Sequence, residues 1–300
     1  MPSDPRRRRK DYVEEADLPI GKKIVAAILL VLATGAAFAP ARGQDGGFVP
    51  SFWDPARRLT GPDMSAIHLI RFLTSDDYPP FDFALPDGAL TGFSVDLARA
   101  VCEELKVACT VQARRWDTLA TALADNKGDA LIAGLAITDR TREQFAFTRP
   151  YMLLPGRFVT RAGQAPAPDA TPERMGAAKA GVIAGSAHAA WLEVYFPKLA
   201  LTRYDSAAAQ RAALVKGEVG VIFGDGVALA GWLNGSESKA CCAFFGGPFI
   251  DRAYFGEGLT IAVRKNNSAL RAALDYGLAR VAARGVYTEL YLKYFPVGAF

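Results

Sequence analysis

Residues 74–98, TSDDYPPFDFALPDGALTGFSVDLA, decide the fold because they read as the end of a strand followed by the start of a helix. The preceding residues 67–73, IHLIRFL, are short and apolar, which is typical of a strand in a covered sheet. Pro79 and Pro80 remove two backbone donors, so the strand stops and leaves Tyr78 at its carboxyl end. Ligands bind at that edge of open α/β sheets. The stretch therefore predicts a protein that captures a ligand beside Tyr78.

The spacing of apolar residues predicts the elements that follow. The first helix, which Ser94 could cap, carries a core-facing stripe at four-residue intervals: Leu97, Val101 and Leu105. Strands and helices then alternate in one α/β unit and in a second that begins near residue 180, which favours mostly parallel sheets. The pattern returns to the first unit after residue 258. Residues 157–161 and 258–262 are therefore the expected crossovers of a hinge.

Eight further motifs extend the opening stretch over residues 65–297. The motifs are WDTL at 116–119, GDALIAG at 128–134, ITD at 137–139, FAFTRPY at 145–151, GVIAGS at 181–186, YDS at 204–206, FGD at 223–225 and LTIAVRK at 259–265. With these motifs in this order, the chain resembles the extracellular solute-binding proteins of family 3, the periplasmic receptors of amino-acid-type ABC importers.

The resemblance implies an α/β fold of the two-lobe, periplasmic-binding-protein-like type (type II, Venus-flytrap) with two hinge crossovers. Lobe one is expected to comprise residues 65–158 plus 260–300, and lobe two residues 159–259. Residues 44–64, rich in Gly, Pro and Asp, are expected to form an irregular N-terminal arm on lobe one.

Residues 1–43 have the pattern of a secretory signal peptide, with basic runs followed by fifteen nearly unbroken apolar residues at 24–38. An uncleaved anchor is the less favoured alternative, because fifteen helical residues span only about 22 Å. The leader holds eight Lys/Arg and five Asp/Glu, so the net charge of +4 falls to +1 without it. The basic balance is thus a targeting feature, and no nucleic-acid partner is expected. We expect export to the periplasm.

A cleft that selects a free amino acid needs an acidic partner for the ammonium group, donors for the carboxylate and a packing surface for the side chain. Asp225 ends an apolar strand and stands where the family places its ammonium-binding aspartate, with a plain helix cap as the alternative. Ser186 and Ala187 lie in a turn that opens a helix, whose free N–H groups suit an anion. The resemblance assigns the ligand carboxylate to that turn.

The resemblance also implies that Tyr78 and Trp116 pack the ligand's side chain, where two aromatic faces would suit a flat, apolar or cationic group. Core packing is the alternative for Trp116. Gly134 and Ala136 belong to the same implied ligand site.

Three positions depart from the family pattern. Ala136 and Thr141 stand where the family has a Ser or Thr and a carboxylate-gripping Arg, and Ser75 stands where it has an Asp. Arg142 is the favoured substitute for the missing guanidinium, against Arg140 and against an exposed surface role. These departures leave the identity of the ligand open.

Four cysteines fit an oxidising compartment. The spacing of Cys102 and Cys109 matches a disulfide of some relatives, and two buried thiols are the alternative. Cys241 and Cys242 are adjacent and could form a vicinal disulfide or stay free.

The sequence thus predicts a small-molecule-binding protein, with an amino acid or related polar solute as ligand, an ABC transporter permease as partner and a monomeric state. No catalytic residue, cofactor or metal site is expected, since no Cys/His cluster has metal-ligand spacing. The alternatives are a periplasmic enzyme of the cyclohexadienyl dehydratase type, with Glu257 or His188 as acid or base, and a ligand sensor for a separate receptor.

Overall fold

The structure is a computed structural model that describes residues 49–53 and 60–300. The predicted signal peptide, residues 1–43, lies outside the described residues, as does most of the predicted arm. Of that arm, Trp53 packs edge-on against Tyr287, with ring centroids 4.8 Å apart. Among the described residues, no helix has both the length and the apolar character needed to cross a membrane.

Thirteen strands and ten α-helices lie within the described residues. In chain order they are β1 (Leu69–Thr74), β2 (Asp77–Tyr78), β3 (Asp82–Ala84), β4 (Leu90–Thr91), α1 (Phe93–Leu105), β5 (Ala108–Ala113), α2 (Trp116–Ala124), β6 (Ala130–Leu131), α3 (Asp139–Gln144), β7 (Phe145–Phe147), β8 (Gly156–Arg161), α4 (Pro172–Met175), β9 (Lys179–Ile183), α5 (Ala187–Tyr195), β10 (Ala200–Tyr204), α6 (Ala207–Lys216), β11 (Val221–Asp225), α7 (Gly226–Asn234), β12 (Cys242–Phe249), α8 (Arg252–Phe255), β13 (Ala262–Arg264), α9 (Ser268–Ala283) and α10 (Val286–Tyr294).

Two five-stranded sheets organise the fold. Lobe one is built on the order β5-β1-β6-β13-β7 and lobe two on β10-β9-β11-β8-β12. In each sheet four strands run in the same direction and one runs against them, β13 in lobe one and β8 in lobe two. Strand β13 inserts between β6 and β7 after all of lobe two has been traced, so the chain returns to lobe one. The two-lobe fold with two crossovers is confirmed.

Helix α1 packs on the sheet of lobe one through the predicted stripe. Leu97, Val101 and Leu105 are buried in one core with the inner face of α9. The expected cap was wrong, because the helix begins after Gly92 and Ser94 lies inside it. The Ser94 hydroxyl instead lies 3.2 Å from the hydroxyl of buried Tyr151, which gives both polar groups a partner.

The two crossovers meet in an isolated antiparallel bridge between Met152 and Leu259. The Leu259 N–H donates to the Met152 carbonyl at 2.7 Å, and the Leu259 carbonyl accepts from Tyr151 N–H at 2.8 Å. The prediction of residues 157–161 as a crossover was wrong, since they lie in β8 and pair with β11 and β12. The first crossover therefore precedes β8, where Met152 pairs with Leu259.

In addition to the two crossovers, the residues that follow α10 contact lobe two. Arg157, nearly buried at the start of β8, donates from Nη1 to the Ala299 carbonyl at 2.9 Å. Its guanidinium carbon lies 4.2 Å from the centre of the Phe244 ring, which is cation–π geometry. The terminal residues follow α10 of lobe one, so this contact joins the two lobes outside the crossovers.

All four cysteines are paired. Cys102 of α1 and Cys109 of β5 form one disulfide, and the adjacent Cys241 and Cys242 form the other. The first joins a helix to the edge strand of its own sheet, so it constrains lobe one.

Candidate functional site

A cavity of about 510 Å³ opens at the carboxyl end of β1, beside the crossovers. Ser75, Tyr78, Trp116 and Gly134 line it from lobe one, and Leu154 and Leu259 line it from the crossover segments. Three predicted site residues, Tyr78, Trp116 and Gly134, are therefore brought together at one place.

Two aromatic side chains give this cavity its character. Tyr78 is 47% exposed and Trp116 is 52% exposed, although both are large and apolar. Core packing is thus excluded for Trp116. Tyr78 is fixed from behind by stacking on Phe81, with ring centroids 5.2 Å apart and planes 18° apart. Exposed, positioned aromatic faces are suited to stack on a planar ligand group or to bind a cation.

A second cavity, of about 180 Å³, lies in lobe two at the carboxyl ends of β9 and β11. Asp225 and Ser186 line it, together with His188, Gln210 and Arg211. Burial raises the pKa of Tyr78, and the charge of Asp225 adds to that increase. The Asp225 carboxylate of lobe two therefore acts electrostatically on the Tyr78 hydroxyl of lobe one.

Asp225 is both a helix cap and a cavity residue. Its Oδ1 accepts from the N–H groups of Val227 and Ala228 at 2.8 and 3.0 Å, which fixes the carboxylate at the start of α7. Both of these bonds use the same oxygen. The two interpretations of Asp225 are thus compatible, because Oδ2 stays available for a donor in the cavity.

Ser186 caps α5 and holds the turn that faces the same cavity. Its hydroxyl accepts from Ala189 N–H at 3.1 Å and donates to the Ile183 carbonyl at 2.8 Å. Ala187 is the first residue of the helix but does not line the cavity. The turn therefore offers backbone N–H groups rather than side chains to an anion.

His188 is a cavity residue that the site prediction did not include. Its ring stacks on Phe255, with centroids 4.8 Å and planes 16° apart. Burial lowers the pKa of His188, although the nearby charge of Asp225 acts in the opposite direction. The turn at residues 185–188, Gly-Ser-Ala-His, could have indicated a role for His188, because the second residue of a helix that follows a strand lies near the edge of the sheet.

The departures from the family pattern have local explanations. Thr141 belongs to the capping box at the start of α3. Its Oγ1 accepts from Thr138 N–H and lies 2.9 Å from the Ala136 carbonyl oxygen. The Arg142 guanidinium is ion-paired with Glu257 of the return crossover. Neither Arg142 nor Ala136 lines the two cavities. The structure therefore does not bring Arg142 to the site, and its predicted role in carboxylate binding lacks geometric support.

A buried carboxyl group that sequence reasoning missed lies directly behind the larger cavity. Asp82 is 0% exposed and accepts through Oδ2 from the hydroxyl of Ser75, a lining residue. Among the described residues its Oδ1 has no hydrogen-bond partner. The Thr74 hydroxyl is close by but donates to the Ile132 carbonyl at 3.0 Å. Burial raises the pKa of Asp82 to about 6.

No group of three or more potential metal ligands is present in the part of the chain that the structure describes. The two cavities together supply aromatic faces, the carboxylates of Asp77 and Asp225, and backbone donors. Such a set can bind a small molecule that carries both a positive and a negative charge.

Comparison with known proteins agrees with this geometry. The model of the bacterial extracellular solute-binding proteins, family 3, matches residues 70–297. An L-arginine-binding protein of Pseudomonas aeruginosa is 35% identical over 244 residues, which cover 81% of this chain and 93% of that protein. A putative ABC transporter arginine-binding protein 2 of Escherichia coli is 32% identical over 231 residues, 77% of this chain and 92% of that protein.

Solved structures share the fold. An ancestral cationic amino acid solute-binding protein superposes with a TM-score of 0.59 at 26% identity, over 76% of this chain and 95% of that one. An ancestral cyclohexadienyl dehydratase superposes with a TM-score of 0.63 at 21% identity, over 80% of this chain and 99% of that one. The second likeness shows the fold alone.

Proposed function

Since this chain belongs to the bacterial extracellular solute-binding proteins, family 3, we propose that it is the periplasmic binding component of an ABC importer for a basic amino acid, with arginine as the leading candidate. The two curated relatives described above are named for arginine. Export by the leader, residues 1–43, and delivery of the ligand to a membrane permease belong to the same proposal.

One observation carries the choice of ligand. The larger cavity presents two exposed aromatic faces, Tyr78 and Trp116, and the lobe-two cavity presents the fixed carboxylate of Asp225. A guanidinium group is planar and cationic, so it can stack between aromatic faces. The α-ammonium group would bind Asp225 Oδ2, and the backbone N–H groups at the start of α5 would receive the α-carboxylate.

This arrangement couples binding to closure of the lobes. A ligand whose side chain binds lobe one and whose ammonium group binds lobe two gains its full set of contacts only when the lobes close around it. The closed state is then favoured by the difference between the two sets of contacts. Motion at the bridge between Met152 and Leu259 would allow this closure.

We propose binding without turnover by a monomer. Glu257 is engaged by Arg142, and His188 is held against Phe255. The two relatives described above are named as binding proteins, which supports binding without turnover. A ligand recovered chemically unchanged after prolonged incubation, and a monomeric mass in light scattering with and without it, would support this proposal.

Calorimetric titration with arginine, lysine, ornithine, histidine, glutamine and glutamate tests the assignment. Basic amino acids should bind and glutamate should not. Asp225→Asn keeps an oxygen that can cap α7 but removes the charge, so affinity for arginine should fall about 30-fold or more, equivalent to about 2 kcal/mol.

Asp251→Asn is the matched control, because Asp251 also caps a helix by accepting a backbone N–H, from Ala253 at 3.0 Å, yet lines neither cavity. It should bind arginine like the unmodified protein. Undiminished affinity in Asp225→Asn, or glutamate binding as strong as arginine binding, would remove the proposed ligand orientation.

A further inference from the structure

We propose that Asp82, acting through Ser75, selects for the positively charged end of the ligand side chain and makes binding of that ligand pH-dependent. This inference rests on the proposed function, because it assigns the charge preference of the same cavity to a specific pair of residues.

The geometry places a hydroxyl between the carboxyl group and the cavity. Ser75 follows β1 and lines the cavity, while Asp82 begins β3 and lies behind it, with no exposed surface. The Ser75 hydroxyl donates its only hydrogen to Asp82 Oδ2. Its remaining lone pairs are available to a donor in the cavity, and donation to a carboxylate makes that oxygen a stronger acceptor. A hydrogen-bond donor or a cation is therefore favoured there, and an anion is repelled.

The described residues give Asp82 no cationic partner. No ion pair to Asp82 is present among them, and Oδ1 has no hydrogen bond. The titratable and hydroxyl groups that face it are uncharged or acidic. They are Thr74 of β1, Ser75 directly after it, Asp77 and Tyr78 of β2, and Tyr151 of the first crossover, and Asp77 also lines the cavity. An isolated buried carboxylate is destabilising, so its presence here needs an explanation other than stability.

A bound cation supplies the missing charge. Burial raises the pKa of Asp82 to about 6, with the nearby charge of Asp77 adding to the effect. A guanidinium or ammonium group in the cavity would lower that pKa again, so binding at pH 6 should release about half a proton. Affinity should fall about tenfold between pH 7 and pH 5, as the free protein takes up a proton that the cation must displace.

The test compares arginine binding in the unmodified protein and in Asp82→Asn at pH 5, 6 and 7, in buffers of different ionisation enthalpy that report proton release. Asp82→Asn should bind arginine about tenfold more weakly at pH 7, with a flattened pH profile and no proton release. Its melting temperature should be unchanged or higher. Asp76→Asn is the control, since Asp76 is an exposed neighbour that does not line the cavity.

Ser75→Ala should lose the pH dependence as well, whereas Ser75→Thr, which retains a hydroxyl, should restore part of it. A pH profile that persists in Asp82→Asn would assign the effect to another group such as His188 and overturn the inference. Equal arginine affinity in Asp82→Asn would also overturn it, while leaving the proposed function intact. Failure of every basic amino acid to bind the unmodified protein would instead refute the proposed function itself.

Discussion

Replacing Gly258 by Ala tests whether the Met152–Leu259 bridge is the point that holds the crossovers together. Gly258 has a φ of +96°, and a Cβ on it would lie 2.5 Å from the Met152 carbonyl oxygen and 3.0 Å from Leu153 Cδ2. That oxygen accepts the Leu259 N–H at 2.7 Å. The substitution therefore pushes against backbone rather than a flexible side chain, and the bridge must open.

Gly256 provides a matched control two residues away. It also has a positive φ, +80°, but a Cβ there meets no atom within 4 Å. Both substitutions incur the conformational cost of a side chain at positive φ, about 1–3 kcal/mol. Only Gly258→Ala adds the loss of a buried hydrogen bond, about 1 kcal/mol, and the displacement of the adjoining backbone. We expect it to be the more destabilising variant by about 2 kcal/mol.

Thermal and urea unfolding of the two variants provide the measurement. For a protein of this size a 2 kcal/mol difference corresponds to about 4–8 °C in melting temperature. Arginine binding should be retained in Gly256→Ala and weakened in Gly258→Ala, because the cavity includes Leu259. Equal melting temperatures would show that the close approach to Met152 relaxes without cost, and the reasoning about the hinge would be refuted.

Two further predictions concern the stability of lobe one. The Cys102–Cys109 disulfide closes a loop with a sequence separation of 7, so its reduction should lower the unfolding free energy by about 2.5 kcal/mol on the chain-entropy model. Denaturation with and without reductant measures this loss, in a variant whose adjacent cysteines, Cys241 and Cys242, are replaced by Ala. An unchanged unfolding free energy on reduction would contradict the prediction. Burial acts to raise the pKa of Asp129, but the hydrogen bonds and charge of Arg71 outweigh it and hold that pKa below its usual value. The stabilisation by Asp129 is therefore present above about pH 4 and lost as the pH falls further. Asp129→Asn should lower the unfolding free energy by about 1 kcal/mol at pH 7, and salt should reduce this loss because Arg71 is 34% exposed. If the stability of the variant fell with decreasing pH just as that of the unmodified protein does, the prediction would be contradicted.

Periodicity in the sequence predicted the elements that bury an apolar face. The stripe of α1 and the strand ending before Tyr78 follow from local hydrophobic spacing, which does not depend on distant residues. Prediction from neighbouring residues failed where a residue distant in the sequence provides the hydrogen-bond partner. Ser94 has the chemistry of a cap, yet its hydroxyl lies against Tyr151, fifty-seven residues away.

The same limit applies to the site. That Tyr78, Trp116 and Asp225 line cavities was predictable, because each lies at a strand or helix boundary and at a position that the family resemblance indicates. Asp82 was not, because only the turn between β2 and β3 brings it behind Ser75, and its burial cannot be read from neighbouring residues. The ion pair of Arg142 could not be predicted because its partner, Glu257, lies on the other crossover, 115 residues away.

The contact between Arg157 and Ala299 bears on how tags should be attached to this protein. Arg157 follows Met152 of the bridge by five residues, so the contact lies close in sequence to the crossover about which we propose that the lobes close. Atoms near such a pivot are displaced least, so we expect the contact to persist in the open and the closed state. A fluorescent reporter attached beside Ala299 would disturb this contact directly, so reporters of ligand binding are better inserted on surface loops distant from it.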